Sequence, residues 1–481
     1  PLRRGLRDGE LPLSYAQQRL WFADQLTRGS AIFNVAVAVR LNGELNVTAL
    51  ARTLREIIAR HEVLRTTFPA REGQPVQVIV EQVEFELPVT DLRELDQAER
   101  EQVARRLAEE EAQTRFDLAT GPLVRARLLR LGEAEHVALF TMHHIVSDGW
   151  SKGVLIKEVS QLYEAYSRGE ESPLTELPIQ YADYAVWQRE WLTGEVLDKQ
   201  LEYWREQLAG APETLALPAD RERPAIQSFR GGRYPVAFTP ELTENLKSLS
   251  RRESATLFMT LLTAFKILLH YYSKQDDIVV GANVANRNQA ETEALIGFFV
   301  NTVVLRTDLS GDPTFVELLK RLREVCLEAY AHQDVPFEKV VALLQPERNL
   351  SRQPLFQVKI DLDDGLMNAL ELRGLMLTPF ELPNDVGKYD FQLLMTTAGE
   401  GLRGDLVYNK DLFAEATVSM MSGQLGTLLH EIIKQPDARI SMLEEVLAEA
   451  DKQHQAGRET DYKNSIQQRF KQAKQKVATV S

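Results

Sequence analysis

Hydrophobic spacing along the chain switches between a helical and a strand period. From Ser14 onward Ala16, Leu20 and Ala23 recur at helical steps, and Ser14 and Gln17 stand three apart as a capping box. Ile32 to Leu41, rich in Val and Ala, predicts a strand, after which Asn46 caps a helix carrying Leu50, Leu54 and Ile57. That helix runs into Arg60-His-Glu-Val-Leu-Arg-Thr-Thr-Phe68, where a period of two would put Leu64, Thr66 and Phe68 on one face of a strand and Arg65 on the other. Asp96 to Arg115 predicts a charged helix. Leu123 to Arg130 and His136 to Met142 flank the polar turn Gly132-Glu-Ala-Glu135 and predict a hairpin. Leu155, Val159, Leu162 and Tyr166 then return to helical spacing, with Ser151 as the expected N-cap and Gly169 as the stop.

The second half repeats the alternation. Helices are expected over Ser254 to Tyr272 and Pro313 to Tyr330, and strands over Ile278 to Ala282 and Phe298 to Leu305. Phe391 to Thr396, Leu402 to Tyr408 and a helix from Phe413 echo the earlier hairpin and helix around the turn Gly399-Glu-Gly401. Mixed layers follow, so the fold class expected is α/β (α+β) in two related lobes. The polar, twice proline-interrupted stretch Glu170 to Pro178 marks the boundary: residues 1–175 form an N-terminal lobe, 176–450 a C-terminal lobe, and 451–481 a polar, basic linker or tail. Within that tail Ile466, Phe470, Ala473 and Val477 keep helical spacing.

Length supports the division, since 481 residues exceed the usual single core. A net charge of −14 argues against nucleic acid as the general partner, and no apolar run reaches the ~20 residues of a membrane span, so a cytoplasmic protein is expected. Cys326 is the one cysteine and falls on an apolar helical face with Leu318, Leu322 and Ala329, which predicts a packed thiol.

The chemistry gathers at Met142-His-His-Ile-Val-Ser-Asp-Gly-Trp150, where the hairpin's second strand meets a helix. Neighbours on a strand point to opposite faces, so His143 and His144 cannot share a job. Core histidines, a metal site and a catalytic base all fit these nine residues. The metal reading lacks partners elsewhere for the about four ligands of a closed zinc site. A histidine at a strand end suits a general base, and Gly149 would permit a tight turn and close approach of a substrate to its N–H. Asp148 would orient a ring or pair with a buried arginine, for which Arg65 is the candidate; an exposed Arg65 at a strand edge fits equally.

Seven blocks in order extend the picture: Ser14 to Trp21, Arg60 to Arg65, Met142 to Ser151, Tyr181 to Tyr184, Ile296 to Thr302, His332 to Glu338 and Ser351 to Gln357. Together they resemble the condensation domains of nonribosomal peptide synthetases, over nearly the whole chain to about Leu447. The resemblance implies two lobes similar to chloramphenicol acetyltransferase, set as a V-shaped pseudo-dimer with a tunnel between them. Upstream donor and downstream acceptor peptidyl carrier domains would dock at opposite faces. They would deliver substrates on 4′-phosphopantetheine arms, with no permanently bound cofactor or metal. The implied activity is that of a peptide-bond-forming acyltransferase, in which the acceptor amine attacks the donor thioester.

His144 would be the central residue, as base or as a group that positions the amine. His143 and Asp148 would be supports, Gly149 a backbone donor to the oxyanion, and Trp150, Ser151 and Asn301 tunnel residues. Ser147 to Ser151 with Phe298 to Thr302 looks like the type joining an L-configured donor to an L-configured acceptor. A starter-type domain acylating the first amino acid, or a non-catalytic carrier-docking module, is the alternative. Departures from the family pattern are Gln353 and the acidic Asp361-Leu-Asp-Asp364. No carrier attachment motif or adenylation loop occurs, so the chain is expected to be one domain of a larger synthase.

Overall fold

The computed structural model describes residues 2–7, 9–27, 30–82, 84–347, 349–363, 372–382, 386–397 and 401–452. The basic tail from 453, Asp364 and most of the turn at 399–401 lie outside them. Two mixed sheets organise the chain. The first has five strands in the order Leu375–Pro379, Asn34–Gly43, Glu135–His143, Val124–Arg130 and Val89–Asp91, antiparallel but for the last pair. The second has six, in the order Asn301–Asp308, Asp277–Val284, Val358–Asp363, Phe391–Thr396, Arg403–Asn409 and Gly231–Ala237. Its three central strands run parallel to one another.

The expected hairpin forms with Val124 opposite Met142 and Arg130 opposite His136. Alternation along Glu135–His143 serves two cores. Val137 and Leu139 pack with Ala104 and Ala108 of helix Gln97–Gln113, while Met142 joins Leu54, Ile57 and Leu162 of helices Val47–Arg60 and Gly149–Ser167. In the second half, helices Leu257–Ser273, Phe315–Ala331 and Glu415–Lys434 cover the six-stranded sheet. Cys326 is buried there, and burial pushes its thiol up to about 11. The echo is real in three dimensions: Phe391–Thr396 and Arg403–Asn409 pair antiparallel and lead into Glu415–Lys434.

Local capping follows the side chains. Ser14 Oγ accepts from Gln17 N–H at 3.1 Å, with Gln17 Oε1 accepting back from Ser14 N–H, and Asn46 caps its helix. Two expectations change. Glu62–Arg65 is a 3₁₀ turn and only Thr66–Thr67 is strand, so the alternation expected from Leu64 to Phe68 does not form. Residues 298–300 lie outside any strand, and the strand starts at Asn301.

Core membership crosses the polar stretch at 170–178. Leu177, Ile179, Tyr181 and Tyr184 pack in the first core together with Leu295, Ile296, Phe298 and Phe299, whereas Trp204 and Leu208 belong to the second. Among the described residues no single helix is long and apolar enough to cross a membrane.

Candidate active site

His143 closes the strand and His144 opens a one-turn 3₁₀ helix, so their rings part as strand geometry requires. His143 is buried. Its Nδ1 accepts from Ile145 N–H at 3.1 Å, its ring edges meet Phe33 and Phe116, and Nε2 lies 3.6 Å from Asp24. It is a turn cap in the first core. His144 faces the other way: the residue is half-buried and its ring meets Phe298 edge-on at 4.8 Å. Its Nδ1 stands 2.6 Å from the Ser147 carbonyl oxygen, an acceptor, so Nδ1 carries the proton and Nε2 presents a lone pair. Burial, then the nearby Lys388 ammonium, hold its pKa down to about 4, so the ring is neutral at pH 7.

Asp148, 2 % exposed, caps helix Gly149–Ser167. Oδ1 accepts from Ser151 N–H at 2.8 Å and from the Arg287 guanidinium at 3.3 Å, and Oδ2 accepts from Phe299 N–H at 2.9 Å. The Arg287 side chain is likewise 2 % exposed and lies over the Phe299 ring at 4.0 Å. The expected Arg65–Asp148 pair is therefore corrected. Arg65 ends the 3₁₀ turn and donates to the carbonyls of Ala59 and Val80, at 3.3 and 2.6 Å. The buried arginine that Asp148 requires comes from 139 residues downstream. Ser151 is not the cap; its N–H is the group capped.

Most of the remaining motif residues grip one strip, Leu295–Phe299. Ser151 Oγ, fully buried, lies 2.8 Å from the Gly297 carbonyl and accepts from Gly297 N–H at 3.0 Å. Tyr181 donates to the Phe298 carbonyl at 2.6 Å and touches Ser14 Oγ at 2.7 Å. Glycine is required at 297 because a Cβ would come within 2.0 Å of the Tyr181 ring. His61 Nδ1 accepts from Ile296 N–H at 3.3 Å while Nε2 meets Glu158 of the site helix at 2.8 Å. Asn301 spends its amide on the carbonyls of Gln333 and Val335, each at 2.7 Å, and its oxygen accepts from Phe337 N–H. The polar groups of Ser151 and Asn301 are thus committed to the frame that carries Phe298 against His144.

Gly149 and Trp150 are exposed at the first turn, where helix amides have no intrahelical partner. Gly149 has no left-handed backbone, so the expected tight-turn role is absent; a Cβ there would meet nothing within 4 Å. The Trp150 indole N–H donates to the Glu293 carbonyl at 2.9 Å. In the echoed position Asp411 pairs with Arg230, and Tyr408 and Asn409 are buried, leaving no second imidazole.

The family described as Condensation domain matches residues 7–455. The chain belongs to that family. One of the proteins that make up the linear gramicidin synthase of Brevibacillus parabrevis is 52% identical over 91% of this condensation domain, and another is 50% identical over 92%. The domain corresponds to 6% and 9% of those two proteins' lengths. Among solved structures, the X-domain in complex with OxyB from teicoplanin biosynthesis shares 30% identity at a TM-score of 0.80, covering 92% of this chain and 97% of that one. A four-domain nonribosomal peptide synthetase bound to AMP and glycine shares 26% identity at 0.80, over 90% of this chain and 33% of that one. The mixed α/β architecture of this condensation domain is therefore the family's.

The sequence reading missed Arg287, Lys388 and Arg19. Arg19 lies over the Phe298 ring at 5.7 Å and pairs with Glu338 at 3.0 Å. The signal available for Arg287 was an arginine flanked by two asparagines, Asn286 and Asn288, before the block Ile296 to Thr302.

Proposed function

We propose that this condensation domain joins a donor acyl or peptidyl thioester to the amine of an aminoacyl acceptor, each tethered by a 4′-phosphopantetheine arm to its own carrier domain. The observation that carries it is the His144 ring, neutral, fixed through Nδ1, and presenting Nε2 with Phe298 against the ring. The amine nitrogen attacks the thioester carbonyl while Nε2 accepts a hydrogen bond from an amine N–H. In the tetrahedral adduct the nitrogen becomes acidic, and Nε2 takes its proton. The C–S bond breaks, and the thiolate leaves with that proton, giving an amide and a free thiol. A ring whose pKa is about 4 is too weak a base to strip a free ammonium. It therefore acts on an amine that arrives neutral and on the adduct. The free first-turn amides of Gly149 and Trp150 face the oxyanion.

Thioesters are already activated, so alignment of two tethered reactants, which can supply up to ~7–11 kcal/mol, is the larger share. His144 adds about 10²–10⁴-fold. His143, Asp148, Ser151 and Asn301 hold the frame, and Trp150 lies exposed beside it. The donor and acceptor are of L configuration. Intact-protein mass spectrometry of loaded donor and acceptor carriers mixed with the domain tests this: dipeptidyl product on the acceptor is expected, falling by about 10²–10⁴-fold in His144→Ala. Carrier binding without product in the wild-type domain would instead support recruitment, the role suggested by the structural likeness to an X-domain solved with OxyB.

A further inference from the structure

Lys388 precedes Tyr389 and Asp390 at the entry to the central strand Phe391–Thr396. Its carbonyl accepts from Gln227 at 2.8 Å, which fixes the backbone, and its side chain crosses from the second half of the chain to the first, where Nζ lies 4.9 Å from the centre of the Phe33 ring. Phe33 is the residue whose carbonyl accepts from His144 N–H at 2.8 Å. The ammonium therefore lies on the ring of the residue whose carbonyl holds the His144 backbone. Neighbouring cations are matched: Lys359 lies 3.2 Å from Asp361, and Arg19 pairs with Glu338. Asp390 is taken by Arg223. Among the described residues no carboxylate pairs with Lys388.

A cation placed there without a counter-ion needs a reason, because an uncompensated enclosed charge is costly. Burial, and then repulsion from Lys359 and Arg19, push its own pKa down to about 8, so it remains mostly charged at pH 7. From the site helix Lys152 adds to the positive field on His144, and Asp148 opposes it. The Asp148 oxygens, however, are already engaged by Ser151, Phe299 and Arg287.

We propose that Lys388 is a positioning residue for amide formation: its unpaired ammonium, seated on Phe33 near His144, sets how far the pH can fall before Nε2 takes up a proton and is lost to the attacking amine. The inference rests on the proposed reaction, yet its physical content is a property of the resting domain. Removing the charge lets His144 protonate at higher pH, so the acid limb of the pH profile moves upward. Keeping the charge, as in Lys388→Arg, leaves the limb in place.

The test uses the domain labelled with ¹³C at histidine Cε1, titrated by NMR from about pH 8 to about pH 3, with His144→Ala to assign the resonance. In Lys388→Met the His144 midpoint is expected to rise by roughly 1 unit, the lower end of what a nearby charge imposes, and in Lys388→Arg to stay with the wild type. The acid limb of kcat/KM should move with it. An unmoved midpoint in Lys388→Met overturns the proposal, as does a raised KM with the limb unmoved, which would make Lys388 a binder of an anionic substrate group. If Lys388→Met does not fold, Lys388→Gln carries the same expectation. The NMR midpoint needs no turnover, so absence of dipeptide from the wild type would sink the reaction while the titration still decided the role of Lys388.

Discussion

Asp148→Ala removes the carboxylate paired with a guanidinium that is itself 2 % exposed. Breaking a buried pair from one side costs about 3–5 kcal/mol, because the charge left behind has no solvent to turn to. The same substitution uncaps helix Gly149–Ser167, a loss of about 1 kcal/mol taken alone, and frees Phe299 N–H from its acceptor. Since one side chain serves all three, the costs overlap, and about 4 kcal/mol is expected. At 2–4 °C per kcal/mol for a unit of 150–250 residues, the melting temperature should fall by roughly 8 °C or more.

The decisive measurement is a double-mutant cycle with Arg287→Met, read by thermal melts and urea titration. Replacing both charges leaves no orphan, so the double variant should recover about 2 kcal/mol relative to the sum of the single effects. If Asp148→Ala melts within about 2 °C of the wild type, or the single effects simply add, the pair does not hold the site helix to the 295–299 strip. Arg65→Ala is the control: Arg65 donates to the Ala59 and Val80 carbonyls, so its effect should add to that of Asp148→Ala without coupling.

Gly149→Ala should leave the melting temperature unchanged, within about 1 kcal/mol, because the new Cβ meets nothing. Single-turnover product formation should nevertheless fall at least ~10-fold, the methyl standing where the thioester oxygen approaches the first-turn amides; full activity would remove those amides from the mechanism. His270 offers a pH effect of definite sign. Hydrogen bonds to Glu444 and Asp276 raise its pKa above the ordinary value, so the stability it contributes is fully present below the unfolded pKa of about 6.5 and is lost as pH rises through the raised folded value. Melting temperatures taken across that window should decline in the wild type and flatten in His270→Asn; equal slopes would refute the assignment.

Much of the frame was legible locally. The Ser14–Gln17 capping box, the Asn46 cap and the hairpin before His143 are each specified by residues within a few positions of one another. Divergence of the two histidines followed from strand geometry alone. What local pattern could not supply was the partner of Asp148. Arg65 and Arg287 are chemically equal candidates, and only the tertiary path of the chain brings Arg287 to the carboxylate. The 3₁₀ turn at Glu62–Arg65 also broke the alternation on which the Arg65 argument stood. Ser151 and Asn301 are polar residues beside a site, which suggests contact with substrate until their bonds are traced to backbone groups within the frame. Lys388 gave no signal, because a lysine before a strand is ordinary until its ammonium is found on Phe33, far away in the sequence.

The strand Leu375–Pro379 belongs by sequence to the second half, yet it forms the outer edge of the first sheet, register-matched from Val39 to Gly43. A chain cut at the polar stretch would therefore yield an N-terminal fragment whose strand Asn34–Gly43 lacks a neighbour, with a row of open amides and carbonyls that invites pairing between copies. Module swaps that splice at that stretch would leave the first sheet without its native edge strand and Leu375–Pro379 without its native partner. Exchanges that keep residues 34–379 from one parent carry the sheet across intact.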